Sequence, residues 1–294
     1  MLIARLIADT TNLETRLDAF AADLAGKGVA LASAGLLDGA GDVVEIATPS
    51  DDMAALRAAL DAHFHPSDAI IATAPFAVPH LFVSDMDSTM IGQECIDELA
   101  DFAGIKHHIA AITERAMQGE LDFEGALRER VMLLRDLSAG AIAECLSTRI
   151  TPMPGARVLV ETLKSRGCRT VLVTGGFHQF ADPVAEMLGF ERVVGNRLEI
   201  VDDVLTGDLV GPITDSGVKR TVLRQEAAEL GENVVTLATG DGANDIPMIA
   251  EATYGVAYHA KPKARDAANG WIDRGDLTSV LKLLGVPEKD WVGR

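Results

Sequence analysis

Three short, nearly unbroken apolar runs constrain this chain more than any other feature: Leu81-Phe82-Val83-Ser84, Thr170-Val171-Leu172-Val173 and Val234-Val235-Thr236-Leu237. A strand with one wet face alternates polar and apolar residues, whereas a continuous apolar run suits a parallel sheet covered on both faces. Helical patterns lie between the runs, around 154–166, 178–188 and 217–230. Such alternation predicts a doubly wound parallel α/β sheet with right-handed crossovers. Gly255-Val256-Ala257-Tyr258 and Trp271-Ile272 supply further strands. Between the first run and Pro154, a helical stretch of about 93–150 is too long for a crossover, which predicts an inserted helical cap.

Residues 1–75 have another texture. Leu2–Ala8 reads as a strand, Asn12 as the cap of a helix ending near Gly28, and Val29–Leu36 and Val43–Ile46 as two strands. A second helix runs from Met53 to Phe64, and Ala69-Ile70-Ile71-Ala72 closes the unit. The order βαββαβ predicts a small α+β ferredoxin-like domain. No ligand signature distinguishes sensing from homodimer formation through it. Pro75 and Pro79 then read as a linker to a catalytic unit spanning 80–294.

Charge narrows the partners. With 26 basic against 44 acidic residues, a formal −18, the chain lacks the basic footprint of a nucleic-acid binder or of docking on anionic lipid. The most apolar stretch, near 69–83, is broken by Pro75, Pro79 and His80, so no membrane span is expected. Arg5 and Asp9 interrupt the apolar start too early for a signal peptide. Cys95, Cys145 and Cys168 have no disulfide-framework or zinc spacing. A cytoplasmic location is the resulting expectation.

Ligands of open α/β sheets gather at the carboxyl ends of the strands, and here each run ends in reactive residues. The first leads into Asp85-Met86-Asp87-Ser88-Thr89, the second into Thr174-Gly175-Gly176-Phe177, the third into Gly240-Asp241-Gly242-Ala243-Asn244-Asp245. Carboxylates at neighbouring strand ends repel one another and call for a cation; a few carboxylates with waters and a phosphate are the usual surroundings of Mg²⁺. An EF-hand is excluded, because Met90 and Ile96 stand where its glycine and glutamate must be. Thr174 and Gly175 offer a hydroxyl and an unobstructed N–H at what reads as the start of a helix, suited to an anion. Lys219 adds a point charge for phosphate. No P-loop pattern is present.

In order along the chain, Asp85-Met86-Asp87-Ser88-Thr89, Thr174-Gly175-Gly176, Lys219 and Gly240-Asp241-Gly242-Ala243-Asn244-Asp245 resemble the four motifs of the haloacid dehalogenase-like phosphatases. Glu94, Met117, Phe123 and Arg130, in their cap contexts, are similar to those of the phosphoserine phosphatases. The likeness covers roughly 81–285; Thr174 stands where that family more often has serine, and the hydroxyl survives. The resemblance implies a Rossmannoid core and hydrolysis of O-phospho-L-serine as the last step of serine biosynthesis. It implies Asp85 as nucleophile, Asp87 as general acid and base, and Mg²⁺ held by Asp85, Asp87 and Asp241, with Asp245 behind them. Thr174, Gly175, Lys219 and Asn244 are implied to serve the phosphoryl group, Glu94 and Arg130 the serine ammonium and carboxylate, and Met117 and Phe123 an apolar lid. Transfer of the phosphoryl group to another alcohol, or action on another small phosphate ester, fits the same motifs. A receiver-type phospho-acceptor fits poorly, since the candidate nucleophile lies on the first strand with a second acid two residues on.

Overall fold

In the computed structural model, residues 1–117 and 120–294 are described, with backbone alone at 114, 116 and 117. The chain opens with β1 (Leu2–Ile7), α1 (Leu13–Gly26), β2 (Ser33–Leu36), β3 (Val44–Thr48), α2 (Met53–Phe64) and β4 (Asp68–Ala72). These strands pair antiparallel in the order β2-β3-β1-β4. Strand β1 alternates buried Leu2, Ala4 and Leu6 with more exposed neighbours, and the buried set meets Phe20 and Leu24 of α1 and Leu56, Leu60 and Phe64 of α2. Asp52 caps α2 by accepting from the Ala55 N–H at 2.9 Å. Asn12 precedes α1 in the left-handed region, and its side chain makes no capping bond, contrary to the sequence expectation.

After an irregular segment, β5 (Leu81–Ser84) starts the second part of the chain. Four cap helices follow, α3 (Cys95–Phe102), α4 (Lys106–Met117), α5 (Phe123–Met132) and α6 (Gly140–Arg149). The chain then runs through α7 (Ala156–Ser165), β6 (Arg169–Phe177), α8 (His178–Leu188), β7 (Arg192–Asn196), β8 (Leu198–Val201), β9 (Val204–Leu209) and α9 (Ser216–Leu230). It ends with β10 (Thr236–Gly240), α10 (Ile246–Glu251), β11 (Tyr254–Tyr258), α11 (Pro262–Ala267), β12 (Gly270–Ile272) and α12 (Thr278–Leu283).

Strands β12-β11-β10-β5-β6-β7 form a parallel sheet, which β4 extends by pairing antiparallel with β12. Along β5 and β6, Phe82 and Leu172 face one apolar cluster with α7, α8 and the cap. Leu81, Val83, Val171 and Val173 face the other, with Val222, Leu223 and Met248. Both faces are covered, which is why the runs show no polar alternation.

Three further features depart from the sequence reading. Strand β6 extends through Phe177 with a register irregularity against β7, so Thr174-Gly175-Gly176 lies on extended backbone and α8 begins only at His178. An unexpected hairpin, β8–β9, braces the cap: Asp136 N–H donates to Leu205 O at 2.9 Å and Ala139 N–H to Asp203 O at 2.8 Å. Pro75 and Pro79 lie in a segment pinned to the sheet, where Phe76 stacks on Tyr254 at 5.5 Å and Ala77 N–H donates to the Tyr254 hydroxyl.

Candidate active site

Strands β5 and β10 are neighbours, and their ladder continues one residue further, with Asp85 N–H donating to Thr239 O at 3.0 Å. There the chain turns sharply: Met90 N–H donates to Met86 O at 2.8 Å, and Ser88 takes a positive φ of 55°. The turn separates two carboxylates that a straight strand would hold on one side. Asp85 stays on the sheet axis, its Oδ1 accepting from Met86 N–H at 2.8 Å. Asp87 swings beneath the first cap helix, where Cys95 N–H donates to its Oδ2 at 3.3 Å. Asp87 Oδ1 is buried without a hydrogen-bond partner among the described residues.

Lys219, on α9, is 1% exposed, and its Nζ lies 2.7 Å from both Asp85 Oδ1 and Asp245 Oδ1. Asp245 also accepts from Gly242 N–H at 3.0 Å, which folds the loop after β10 back on itself. Gly240 permits this closeness, since a side chain there would overlap Asp245. Asp85, Asp241 and Asp245 each offer an oxygen within 4.8 Å of the others'. Three buried carboxylates against one buried ammonium leave this pocket short of positive charge. An oxygen-only donor set of that kind fits a small divalent cation. Burial, then the Asp245 charge, pushes the Asp85 carboxyl well above the usual carboxylate range, with Lys219 opposing. Burial is also the largest cause of the rise of Asp87 to about 7, and Glu94 adds to it. For Lys219 burial acts downward, but Asp85 and Asp245 outweigh it and the ammonium is stabilised.

The second strand end supplies donors. Thr174 Oγ1 accepts from Gly176 N–H at 2.8 Å, leaving its own proton to point elsewhere. Asn196 secures this strand end, its amide donating to Gly175 O at 2.7 Å while its oxygen accepts from Thr214 N–H at 2.8 Å.

From the cap come Glu94, Phe123 and Arg130. Glu94 accepts from the Ser88 hydroxyl at 2.8 Å, and burial raises its carboxyl against that bond. Arg130 donates through Nε to Ala126 O at 3.2 Å and forms no ion pair among the described residues, so Glu94 and Arg130 are not bound to each other. Burial lowers Arg130, with Asp97 and Glu94 opposing. Phe123 opens α5 over the second strand end; a Cβ on Gly175 would lie 3.5 Å from its Cζ. Asp85, Asp87, Glu94, Phe123, Arg130 and Asn244 all line one cavity of about 420 Å³, with Thr174, Gly175 and Asp241 in its wall. Lys219 and Asp245 lie beneath it. The side chain of Met117 lies outside the described residues.

A model of the haloacid dehalogenase-like hydrolases matches residues 82–250. The chain belongs to that family. The phosphoserine phosphatase of Polaromonas sp. JS666 is 44% identical over 210 residues, covering 69% of this chain and 89% of that protein. Among solved structures, a probable phosphoserine phosphatase of Vibrio cholerae, unliganded, superposes with a TM-score of 0.75 at 32% identity. That match covers 98% of this chain and 88% of the other, so the likeness includes the N-terminal strands and helices. A phospho-aspartyl intermediate analogue of a phosphoserine phosphatase gives 0.64 at 39% identity, covering 70% and 99%.

Two residues escaped the sequence reading, Lys261 in the cavity wall and Asn196 behind it, bonded to Gly175 O. Lys261 follows β11, and its Nζ lies 3.2 Å from Asp241 Oδ2; extending the strand-end rule to Gly255–Tyr258 would have reached it. Asn196 carries no motif, and its role depends on the partners that β7 and the loop before α9 bring to it.

Proposed function

We propose that this chain is a Mg²⁺-dependent phosphomonoesterase that hydrolyses O-phospho-L-serine through a phospho-aspartyl intermediate at Asp85. The observation that carries the reading is a single cavity in which Asp85 rests on Lys219, Asp87 stands one turn away, and Arg130, in no ion pair among the described residues, lines the wall with Glu94. The curated relative's activity and the phospho-aspartyl intermediate analogue of a 39% identical phosphoserine phosphatase support it.

Phosphoryl transfer needs an in-line nucleophile and dispersed positive charge more than it needs bond-making machinery. The Asp85 carboxylate attacks phosphorus, and the serine oxygen departs with a proton from Asp87. Asp87 then takes a proton from the water that attacks the phospho-aspartate, which releases phosphate and restores Asp85. Its rise to about 7 suits a group that must both give and accept a proton near neutrality. Lys219, the Thr174 hydroxyl and the Gly175 N–H hold the phosphoryl oxygens, and Asn244 orders the loop beside them. Asp85, the Asp87 carbonyl and Asp241 would hold Mg²⁺, with Asp245 supporting; the ion supplies neutralisation of the developing phosphoryl charge. Arg130 pairs with the substrate carboxylate and Glu94 with its ammonium, while Phe123 excludes water.

The three cysteines are buried and unpaired, which supports a reducing, cytoplasmic setting. No helix among the described residues is long and apolar enough to cross a membrane.

The test is phosphate release from a panel of phosphorylated metabolites, with and without Mg²⁺. We expect phosphoserine to be the preferred substrate, and Asp85→Asn to lose turnover by about a thousandfold or more with its circular dichroism unchanged. Steady turnover by Asp85→Asn would sink the nucleophile assignment. Substantial transfer to added alcohols would reassign the chain as a phosphotransferase.

A further inference from the structure

The acidic side of the cavity is tied to the N-terminal unit through one very short helix. Lys261 stands just before α11, and two of its groups reach Asp241: its N–H donates to Asp241 O at 2.9 Å and its ammonium lies 3.2 Å from Oδ2. Its own carbonyl accepts from Ala264 N–H at 3.0 Å and Arg265 N–H at 3.1 Å, so the first turn of α11 carries Lys261 directly. A helix of six residues has no stability of its own, and its position is set by whatever holds its ends.

The far end of α11 is held by α2. Arg57 donates to the main-chain carbonyls of Arg265 and Ala268, satisfying acceptors that a helix end leaves open. Asp61, one turn further along α2, accepts from Arg265 at 2.6 Å, while Asp273 takes the same guanidinium at 2.9 Å. Both guanidinium groups lie over the buried Trp271 ring, Arg57 at 4.8 Å and Arg265 at 4.9 Å from its centre. The grip is therefore directional, bonded and partly buried, and three bonded contacts lead from Arg57 through Arg265 and Lys261 to Asp241.

We propose that Arg57, with Asp61, is a positioning residue of the catalytic site, holding α11 so that Lys261 keeps Asp241 in its metal-binding place. The inference rests on reading Asp241 as a Mg²⁺ ligand. It gives residues 1–75 a part in the reaction that needs no effector. Misplacement of a catalytic group by about 1 Å can cost two orders of magnitude in rate.

The experiment is calorimetric titration of the full-length chain with Mg²⁺ in the absence of substrate. Arg57→Met and Asp61→Asn should each weaken Mg²⁺ binding by about fivefold or more, the usual range for a coupling residue. Arg57→Lys, which keeps one donor, should fall between Arg57→Met and wild type. Arg16→Met is the control: Arg16 anchors the same unit through His63 O at 3.0 Å and Asp9 O at 2.7 Å without touching α11. It should lower the melting temperature and leave Mg²⁺ affinity within about twofold of wild type. Unchanged affinity in the Arg57 and Asp61 variants would overturn the proposal, and so would an equal loss in Arg16→Met. Should Arg57→Met fail to fold, Asp61→Asn and Arg57→Lys read the same quantity. A wild type that binds Mg²⁺ and hydrolyses phosphoserine while all these variants bind the ion equally removes the link alone. A wild type that binds no Mg²⁺ removes the functional reading with it.

Discussion

At the scale of single residues, Lys219 does the most with one charge. Replacing it with methionine leaves Asp85 and Asp245 facing each other in a dry pocket, and breaking a buried ion pair typically costs about 3–5 kcal/mol. Lys219→Met should therefore lose stability of that order in urea denaturation, along with its activity. Adding Mg²⁺ should recover part of the stability. Arg130 is the opposite case, a guanidinium in the cavity wall with no carboxylate partner among the described residues. Its removal should lower kcat/KM for phosphoserine by about a hundredfold, the loss of one charge-assisted pair, and leave p-nitrophenyl phosphate nearly unaffected. Equal losses on both substrates would reassign Arg130 to the phosphoryl group or to the fold of the cap. Asp85, Asp87, Thr174, Gly175 and Asp241 could be found in the sequence because strand ends are marked locally, by an apolar run followed by Asp, Gly or Thr. Lys219 and Arg130, on α9 and α5, carry no such mark, and the family resemblance supplied their roles. Asn196 stands outside those marks and became visible only through the partners that distant segments bring to it, whereas Lys261 follows the end of β11, within reach of the same strand-end rule.

At the scale of elements, the hairpin β8–β9 was not legible, and its turn explains why. Asp202 and Asp203 both have positive φ, 50° and 62°, the conformation for which Asn-Gly is the familiar signal. Without a glycine in the turn, the two strands carry no hairpin signal, and their short apolar runs are parted only by Asp202-Asp203. In the fold the hairpin supports the cap between α5 and α6, and Leu205 is its buried anchor at 1% exposure. Leu205→Ala should destabilise by about 2–5 kcal/mol. It should also raise KM for phosphoserine more than it lowers kcat, because α5 carries Phe123 and Arg130 into the cavity. Steady-state kinetics beside thermal melting separate these effects. Strand β6 was legible in its apolar half only. The Gly-Gly that reads as a turn is accommodated on extended backbone, since neither glycine needs positive φ and Asn196 holds the chain straight beyond it.

At the scale of the whole molecule, one sheet of ten strands runs through both parts of the chain among the described residues. Asp68 at the start of β4 accepts from the N–H groups of Asp273, Arg274 and Gly275 and from the Ser279 hydroxyl, so the seam is bonded at its end as well as along its length. The segment that reads as a linker is consequently a fixed strap. Thermal unfolding should show one cooperative transition, and the whole transition should move upward with Mg²⁺, by about 2.7 kcal/mol at a hundred times its dissociation constant. Two separate transitions in calorimetry, with only one shifted by the ion, would show the parts to be independent. The pairing of β4 with β12 also bears on how the protein stays dispersed in a crowded cell. Strand β12 is three residues long, with Trp271 at its centre fully buried. Stripped of β4, it would leave a bare row of amide groups beside an uncovered indole, a template for pairing with nascent chains. In the fold β4 occupies that edge and Trp271 packs into the N-terminal core, so neither is presented to solvent.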